Sequence, residues 1–402
     1  MEGMVFNSLE KLLEPCLPTE FLASSWGKSH KHIPGWPGKF AGLLPWRQLN
    51  EILSRHRLDF PRLRLMRDGK SLPVASYLRH TTATRHKVSI PRLRNVPLTK
   101  HLREGATLVL DAVDELYGPL EELAQELELL FREHIQINAY AGWQTSRGFD
   151  LHWDDHDVFI LQVTGRKRWS VYGMTRPSPL ARDVETSQRP THEPLWEETL
   201  VDGDFLYIPR GWWHVARPLA EPTLHLTVGI HNRTGVDLLH WLAERMRSSE
   251  AFRRDLPRLS DSDARKEHMK QLREELFAQW DACLLDRYER ELDQNALPRA
   301  QLSLPWSATA EILPSTDDAL LRWTAPRPVT WRVEAGAIEF ASHQKRWRFA
   351  PAALNILNAL ASRRVCSIRE LCELSEGHLE KQTVRAFLSE LVQHGLLAIA
   401  LE

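Results

Sequence analysis

Ionisable side chains are concentrated in one short segment in the middle of the chain. Between residues 150 and 157 the sequence places six of them: Asp150, His152, Asp154, Asp155, His156 and Asp157. An apolar run (158–163), a break at Gly165 and a second run with Trp, Val and Tyr follow, a pattern that predicts a β-hairpin. Because side chains two positions apart on a strand share a face, His152 and Asp154 are expected to be neighbouring ligands of one metal ion.

A third candidate ligand lies downstream of this segment. Residues 202–214 contain an Asp-Gly-Asp turn, a short apolar strand from Phe205 to Ile208, a Pro-Arg-Gly turn and then His214 at the start of another strand. Two histidines and one carboxylate leave coordination positions open, and they are the ligand set of non-haem Fe(II) oxygenases. The two segments together predict an iron centre formed by His152, Asp154 and His214.

Two other interpretations fit the first segment when it is considered alone. A His-x-Asp pair occurs by chance on many surfaces, and His152 and His156 would share a face if the segment were helical, which would suit zinc. The apolar β-rich run and the glycine turn favour strands instead. The downstream segment is the more specific of the two, because it combines Gly, Asp, Pro, Gly and His at fixed spacing.

Length and composition define the class of protein. The chain has 402 residues, of which 43% are hydrophobic, so we expect two or three globular domains. Lys plus Arg (52) and Asp plus Glu (53) nearly balance, which argues against nucleic acid as a direct ligand. The four cysteines lack Cys-x-x-Cys spacing, and no apolar run approaches the ~20 residues of a membrane span. These features predict a cytoplasmic protein with no membrane segment.

Several predicted elements surround the candidate ligands. Residues 119–133 have the apolar spacing of an amphipathic helix, with a proline at its start. Residues 134–141 alternate cleanly, which places Gln136, Asn138 and Tyr140 on one face of a strand. That face points either into a barrel or into water, and alternation alone does not distinguish these two possibilities.

Two later strands complete the predicted barrel. Lys167 and Trp169 share a face of the strand that follows the glycine turn, and residues 223–230 alternate again, with His225 and Thr227 on one side. Between these strands, residues 173–199 are polar and rich in proline, which predicts a loop.

Near the N-terminus, His30 and His32 follow Phe21 and Trp26. Their polar surroundings favour a solvated turn for both histidines.

The hydrophobic period changes after the barrel. Residues 236–297 have helical periodicity. Within this region, a second helical segment is predicted from the spacing of apolar residues at Met269, Leu272, Leu276, Trp280 and Leu284. A proline-rich linker then leads to short strands, three helical stretches and a last strand, an order that resembles a winged helix. Because basic and acidic residues are equal in number over 301–402, this region is interpreted as a protein-interaction or stabilising domain instead of a DNA-binding one.

The His-x-Asp segment, the Gly-Asp…Pro-x-Gly-x-x-His segment and the order of the regions resemble the ribosomal oxygenases. These are JmjC-type, cupin-like 2-oxoglutarate oxygenases that hydroxylate Arg or His side chains of ribosomal proteins. The resemblance covers nearly the whole chain. It implies an α+β protein with a double-stranded β-helix core, N-terminal helices, a helical dimerisation module and a C-terminal winged-helix-like domain. The implied divisions are 1–235, 236–300 and 301–402.

The resemblance also implies roles for individual residues. His152, Asp154 and His214 would hold Fe(II). Lys167 would bind the distal carboxylate of 2-oxoglutarate, where bacterial arginine hydroxylases of the family tend to have Arg and animal members have Lys. The resemblance implies that three further residues bind the cosubstrate: Thr227, Tyr140 and Asn138. Each of these residues could also be an ordinary strand residue.

The implied function is hydroxylation of an Arg or His side chain, most simply of a ribosomal protein, by a homodimeric enzyme that uses Fe(II), 2-oxoglutarate and O2. Two alternatives remain open. One is a tailoring hydroxylase that acts on a biosynthetic peptide or small molecule, and the other is a non-catalytic cupin-like regulatory binding protein. Complete iron ligands together with Lys167 argue against the second alternative, because a binding protein does not need to hold a 2-oxo acid.

Overall fold

The computed structural model describes residues 7–83, 88–180, 188–309, 312–334, 336–376 and 378–400. The chain divides into two compact units, Met1–Asn232 and Arg233–Glu402. Among the described residues, no helix combines the length and the apolar character that crossing a bilayer requires.

The first unit is built on two β-sheets. Its strands are β1 (Lys31–Ile33), β2 (Leu63–Arg67), β3 (Lys70–Ser71), β4 (Leu78–Ala83), β5 (Val88–Leu93), β6 (Thr107–Leu110), β7 (Ile135–Gly142), β8 (Asp157–Thr164), β9 (Lys167–Met174), β10 (Trp196–Leu200), β11 (Phe205–Ile208), β12 (Trp212–Pro218) and β13 (Thr223–Ile230). Eight of them form one sheet in the order β1-β11-β8-β13-β7-β6-β2-β3, and β10-β9-β12 form a second sheet. β4 and β5 pair separately as a two-stranded ribbon.

The alternation of β8 explains how the two sheets enclose a core. Val158 and Ile160 belong to a buried cluster that includes Trp169 of β9, so this face of the large sheet packs against the small one. Phe159 and Leu161 point to the opposite face, where they join the main core of the unit. A strand that is buried on both faces has no polar alternation, which is why 158–161 is a continuous apolar run.

The predicted hairpin is wrong in its pairing. β8 pairs with β11 and β13 in the large sheet, whereas β9 pairs with β10 and β12 in the small sheet. Gly165, at φ +70°, carries the chain from one sheet to the other, and a Cβ there would approach the carbonyl oxygen of Pro222 to 2.1 Å. The glycine signal therefore marked a real turn, but the turn connects the two layers of the barrel instead of two paired strands.

Helices cover the outer face of the large sheet. They are α1 (Asn7–Leu13), α2 (Pro18–Ser24), α3 (Trp46–Arg55), α4 (Asn95–Arg103) and α5 (Gly118–Phe131). α5 confirms the helix predicted at 119–133: a proline lies in its first turn, and Leu120, Leu123 and Leu127 are buried. Their packing against the large sheet agrees with the expected α+β double-stranded β-helix with N-terminal helices.

Two further sequence-based expectations for the first unit need correction. The stretch 173–199 is not all loop, because β10 occupies its end and pairs with β9; residues 181–187 lie outside the described residues. His30 and His32 are not in a solvated turn. His32 belongs to β1, which pairs with β11, and both histidines contact Trp196. Partners from distant parts of the chain therefore remove both side chains from open solvent.

The second unit begins with four helices. They are α6 (Gly235–Met246), α7 (Glu250–Arg253), α8 (Ser262–Gln279) and α9 (Leu284–Asn295). A capping box formed by Thr234 and Asp237 begins α6, and Asp261 caps α8. The predicted apolar series from Met269 to Leu284 does not lie on one helix, because α8 ends at Gln279.

The rest of the second unit has its own core. Its strands are β14 (Leu320–Trp323), β15 (Arg332–Glu334), β16 (Ala337–Ser342), β17 (Lys345–Phe349), β18 (Val365–Ser367) and β19 (Leu397–Ile399), and its helices are α10 (Leu354–Arg363), α11 (Ile368–Glu373) and α12 (Lys381–Gln393). β14 lies between β18 and β19, and Trp323 of β14 is among the largest fully buried side chains. The sequence pattern had not indicated this central strand.

Candidate metal centre and adjoining cavity

Backbone pairing brings the predicted metal ligands together. The amide of His152 donates to the carbonyl of His214 (3.2 Å), and the amide of His214 donates to the carbonyl of His152 (2.8 Å). The amide of Gly211 donates to the carbonyl of Asp154 (2.8 Å). Residues 152–154 are thus not part of a regular strand. They form an irregular extension before β8, which begins at Asp157.

Hydrogen bonds fix the orientation of both imidazoles. Nδ1 of His152 lies 2.8 Å from the carbonyl oxygen of Asp150, and Nδ1 of His214 lies 2.9 Å from that of Trp212. A carbonyl oxygen can only accept, so each Nδ1 carries the proton and each Nε2 presents a lone pair. This is the tautomer that a metal ligand requires, with the other ring nitrogen held by a carbonyl.

The three donor groups are close enough to share one ion. Nε2 of His152 lies 3.9 Å from a carboxylate oxygen of Asp154, and Nε2 of His214 lies 3.5 Å from the other oxygen. Burial and the neighbouring His152 lower the pKa of His214 to about 4, so its ring is neutral at pH 7. Two imidazole nitrogens and a carboxylate in this arrangement fit a divalent ion such as Fe(II).

A cavity of about 280 Å³ extends from these ligands between the two sheets. All seven residues that the sequence singled out line it: His152, Asp154, His214, Lys167, Thr227, Tyr140 and Asn138. The open question about the polar face of β7 is thereby answered, because this face points into the barrel.

Lys167 projects from β9 into the cavity and is only 6% exposed. Its ammonium lies over the ring of Trp169, 5.8 Å from the centroid. No carboxylate of the described residues lies within ion-pair distance of it, and burial lowers its pKa to about 7. Burying a cation without a counter-ion is costly, and an anionic ligand in the cavity would remove that cost.

Tyr140 and Thr227 occupy adjacent strands on the same cavity face. Tyr140 stacks on His225 with ring centroids 5.0 Å apart, and its phenol shares a hydrogen bond with Thr227. Burial raises the pKa of Tyr140 to about 12, so the phenol keeps its proton at neutral pH. The cavity therefore offers two hydroxyl groups in addition to the lysine.

The side chain of Asn138 also stabilises the local backbone. Its carbonyl oxygen accepts hydrogen bonds from the amide of Ala112 and from Gln136, each at 2.9 Å. Ala112 has a left-handed backbone conformation, with φ +50°, which this hydrogen bond helps to hold. Only the amide nitrogen of Asn138 is thus left to act on a ligand.

Sequence reasoning missed other polar residues of the cavity. Arg64 of β2 makes an ion pair with Asp111, with nitrogen–oxygen distances of 2.8 and 2.6 Å. Nδ1 of His225 and Nε1 of Trp169 are buried and have no hydrogen-bond partner within the described residues. Periodicity placed His225 and Trp169 on the correct faces, whereas no local signal connects Arg64 with this site.

Asp204 of the second segment is not a metal ligand. Its carboxylate accepts hydrogen bonds from the amides of Gly35 and Val201 (3.0 Å each) and lies 3.2 Å from Nε2 of His32. Burial alone would raise its pKa, but these hydrogen bonds lower it. Asp204 thus holds together the segments around β1 and β11.

Comparison with known proteins agrees with this geometry. The JmjC domain family matches residues 117–238, the region that contains all the predicted ligands. Ribosomal oxygenase 1 of Gallus gallus is 30% identical over 227 residues, which cover 55% of this chain and 36% of the relative. The bifunctional lysine-specific demethylase and histidyl-hydroxylase NO66 of Drosophila pseudoobscura pseudoobscura is 27% identical over 231 residues, 56% of this chain and 23% of the relative. Residues 117–238 thus match the JmjC domain family, and the chain is similar to ribosomal oxygenases.

These similarities confirm the resemblance inferred from the motifs. The matching region spans about a third or less of these curated relatives. The ribosomal oxygenase YcfD of Escherichia coli has a similar fold, with a TM-score of 0.57 and 19% identity, over 96% of this chain and 98% of YcfD. The JmjC, cupin-like fold is therefore confirmed.

Proposed function

We propose that this chain is an Fe(II)- and 2-oxoglutarate-dependent oxygenase that uses O2 to hydroxylate an amino-acid side chain of a protein. The observation that carries the proposal is that one cavity contains both a two-histidine, one-carboxylate cluster and a buried lysine with no counter-ion among the described residues. Metal binding alone would not need the lysine, and anion binding alone would not need the cluster.

The proposed metal ligands are His152, Asp154 and His214. When bound, Fe(II) with 2-oxoglutarate and O2 supplies the oxidation of a C–H bond, coupled to decarboxylation of the 2-oxo acid. The protein's contribution is to hold both imidazoles as Nε2 donors through the carbonyls of Asp150 and Trp212. Three protein ligands leave positions open for small molecules.

The proposed cosubstrate-binding residues lie on three strands. Lys167 would pair with the distal carboxylate of 2-oxoglutarate, a charge-assisted contact in a site shielded from water. Tyr140 and Thr227 would add neutral hydrogen bonds, and Asn138 would add its amide nitrogen. YcfD has been crystallised with cobalt and 2-oxoglutarate, which supports this choice of cosubstrate.

For the substrate, we propose an Arg or His side chain of a ribosomal protein. The names ribosomal oxygenase and histidyl-hydroxylase of the related proteins support this class. A lysine at position 167, as in animal members of the family, favours histidine as the first target to test. The tailoring-hydroxylase and regulatory alternatives predict no modification of ribosomal proteins.

The domain roles belong to the same proposal. Residues 1–235 would be catalytic, 236–300 would form a homodimer and 301–402 would be a winged-helix-like interaction domain in a cytoplasmic enzyme. Dimerisation is supported by α8, none of whose residues is buried and which exposes Met269 and Phe277. The three helices α10–α12 beside short strands support the winged-helix assignment.

The decisive test compares ribosomal proteins from cells that contain the wild-type chain with those from cells that contain only Asp154→Ala. Mass spectrometry should find a residue with one added oxygen atom in the first sample and not in the second. The purified wild-type protein with Fe(II) should also convert 2-oxoglutarate to succinate faster when that ribosomal protein is present. Equal masses in the two samples would refute the ribosomal substrate, and absence of succinate under all conditions would refute the oxygenase.

A further inference from the structure

A second set of metal-ligand side chains lies beside the first. Asp155, His156 and His231 each offer one donor atom, and these atoms lie within 4.8 Å of one another. The set again consists of two imidazoles and one carboxylate. It shares no residue with His152, Asp154 and His214, so it needs an explanation of its own.

Two parts of the chain are joined firmly at this point. Asn232, the neighbour of His231, donates from its side-chain amide to Asp157 (2.6 Å), and the hydroxyl of Tyr207 donates to the other oxygen of Asp157 (2.5 Å). Asp157 is also paired with Ile230 across the β8–β13 ladder. The loop that carries His231 is thus fixed to the segment that carries Asp155 and His156.

The position of His156 depends on a glycine. A Cβ on Gly229 would come within 2.9 Å of the His156 ring, so only a residue without a side chain gives the imidazole its place against β13. The ring stacks on that of His231, with centroids 4.3 Å apart and an angle of 26° between the planes. Two nearly parallel imidazoles held in this way keep their donor atoms close together.

The spacing of the donors matches a shared ion. Nδ1 of His156 lies 3.1 Å from a carboxylate oxygen of Asp155. Ligand atoms about 2.1 Å from one metal ion are separated by roughly 3.0–3.4 Å in octahedral or tetrahedral geometry. A proton between the two atoms gives a similar distance, so the structure allows either a proton or an ion there.

The surroundings favour a cation. Asp154, Asp155 and Asp157 bring three carboxylates to the segment around His156. His231 is exposed, which gives access from solvent, whereas His156 lines the cavity. An ion held here would therefore be reachable from outside and would lie at the wall of the cavity.

We propose that Asp155, His156 and His231 form a second site for a divalent transition-metal ion. Two imidazoles and a carboxylate suit Zn²⁺, Co²⁺ or Ni²⁺ better than Mg²⁺ or Ca²⁺, which prefer oxygen ligands. The inference concerns residues outside the proposed catalytic set and holds whether or not the chain is an oxygenase.

The test counts bound ions in the full-length, tag-free, metal-free protein. Equilibrium dialysis against micromolar Co²⁺, followed by metal analysis, should give two ions per wild-type chain. His231→Phe keeps a ring for stacking on His156 but removes both nitrogen donors, and it should bind one ion. His56→Phe makes the same change at an exposed histidine outside both clusters and should still bind two. His214→Ala should also lose one ion, from the first site.

Combining the variants separates the two sites. His214→Ala with His231→Phe should bind no Co²⁺, and the visible absorption of the ion in each single variant should add up to the wild-type spectrum. The proposal is overturned if the wild-type chain binds only one ion or if His231→Phe still binds two. Loss of both ions in His231→Phe would also contradict two separate sites.

Discussion

His152 and His214 are linked through their backbones: each amide donates to the carbonyl of the other, at 3.2 and 2.8 Å. This isolated bridge places the two imidazole centroids 4.4 Å apart. Because the linking atoms belong to the main chain, the bridge does not depend on either side chain. The ligand geometry can thus be probed by side-chain substitution without removing the scaffold.

Replacement of His214 by alanine should abolish high-affinity metal binding at the first site and 2-oxoglutarate turnover. Two remaining ligands hold a labile divalent ion poorly, whereas the backbone bridge to His152 stays intact. Metal content after dialysis and succinate production measure the two effects, with His56→Ala as a control at an exposed histidine. Full succinate production by His214→Ala would reject the assignment of this ligand.

Replacement of Asp204 by alanine should lower the free energy of unfolding by about 2–4 kcal/mol, since the amides of Gly35 and Val201 would lose their acceptor in a buried site. Urea unfolding measures this change. Asp202→Ala is the matched control, because within the part of the chain that the structure describes Asp202 accepts a single hydrogen bond, from the amide of Gly38. Metal content should be unchanged in both variants; loss of the metal from Asp204→Ala at full stability would show that Asp204 belongs to the site.

The effect of Asp204 should depend on pH in a defined direction. Its pKa is lower in the folded protein than in the unfolded chain, so its ionised form contributes stability that is fully present above the unfolded value of about 3.9. This stability is lost as the pH falls through the folded pKa. The difference between wild type and Asp204→Ala should therefore shrink on acidification.

Local patterns placed the candidate side chains on faces that the fold brings together. The alternation of β7 and β13 placed Asn138, Tyr140 and Thr227 on faces that prove to line one cavity. The two histidine segments supplied the three candidate metal ligands, whose donor atoms lie close together. Such signals are local, because strand period and turn residues act over a few positions.

Pairing between distant segments could not be predicted in the same way. The sequence indicated that a turn follows β8, but not that β9 joins the other sheet, since sheet membership depends on partners far along the chain. The contact of His32 with Asp204 spans 172 positions, and that of Arg64 with Asp111 spans 47. No periodicity within either segment carries information about these contacts.

Replacement of Phe277 by aspartate should convert the proposed homodimer into a monomer. Phe277 is 63% exposed on α8, and a charge there would be buried without a partner in a dimer interface. Sedimentation at micromolar concentration measures the change. Ala278→Asp introduces the same charge at the next exposed position and serves as the control. A wild-type chain that sediments as a monomer would contradict the dimer.

Replacement of Lys167 by alanine should weaken 2-oxoglutarate binding and leave metal binding unchanged. Loss of one partner of a buried charge pair costs about 2–5 kcal/mol, which is roughly 30-fold to several thousand-fold in affinity. Lys167→Arg should keep part of the affinity, although the larger guanidinium is shaped differently. Titration with 2-oxoglutarate in the presence of Co²⁺ measures the effect.

The neighbour of Lys167 provides the control for this experiment. Arg166 is exposed and paired with Glu221, so Arg166→Ala should bind 2-oxoglutarate like the wild type. If Lys167→Ala also bound 2-oxoglutarate like the wild type, another basic residue would have to bind its distal carboxylate. Arg64, which lines the same cavity, would be the first to test.

The affinity for 2-oxoglutarate should decrease as the pH rises above neutrality. Without ligand, burial lowers the pKa of Lys167 to about 7, so above that pH most chains carry a neutral amine. Pairing with a carboxylate requires the protonated form, and binding must then take up one proton. The apparent dissociation constant should rise about tenfold per pH unit from about pH 7 to about pH 9. In Lys167→Arg the guanidinium stays protonated over this range, so its affinity should be weaker than the wild type at neutral pH but nearly constant. Calorimetric titration in buffers with different ionisation enthalpies reports the proton uptake directly. A wild-type dissociation constant that does not change with pH would show that Lys167 is already charged before the cosubstrate binds.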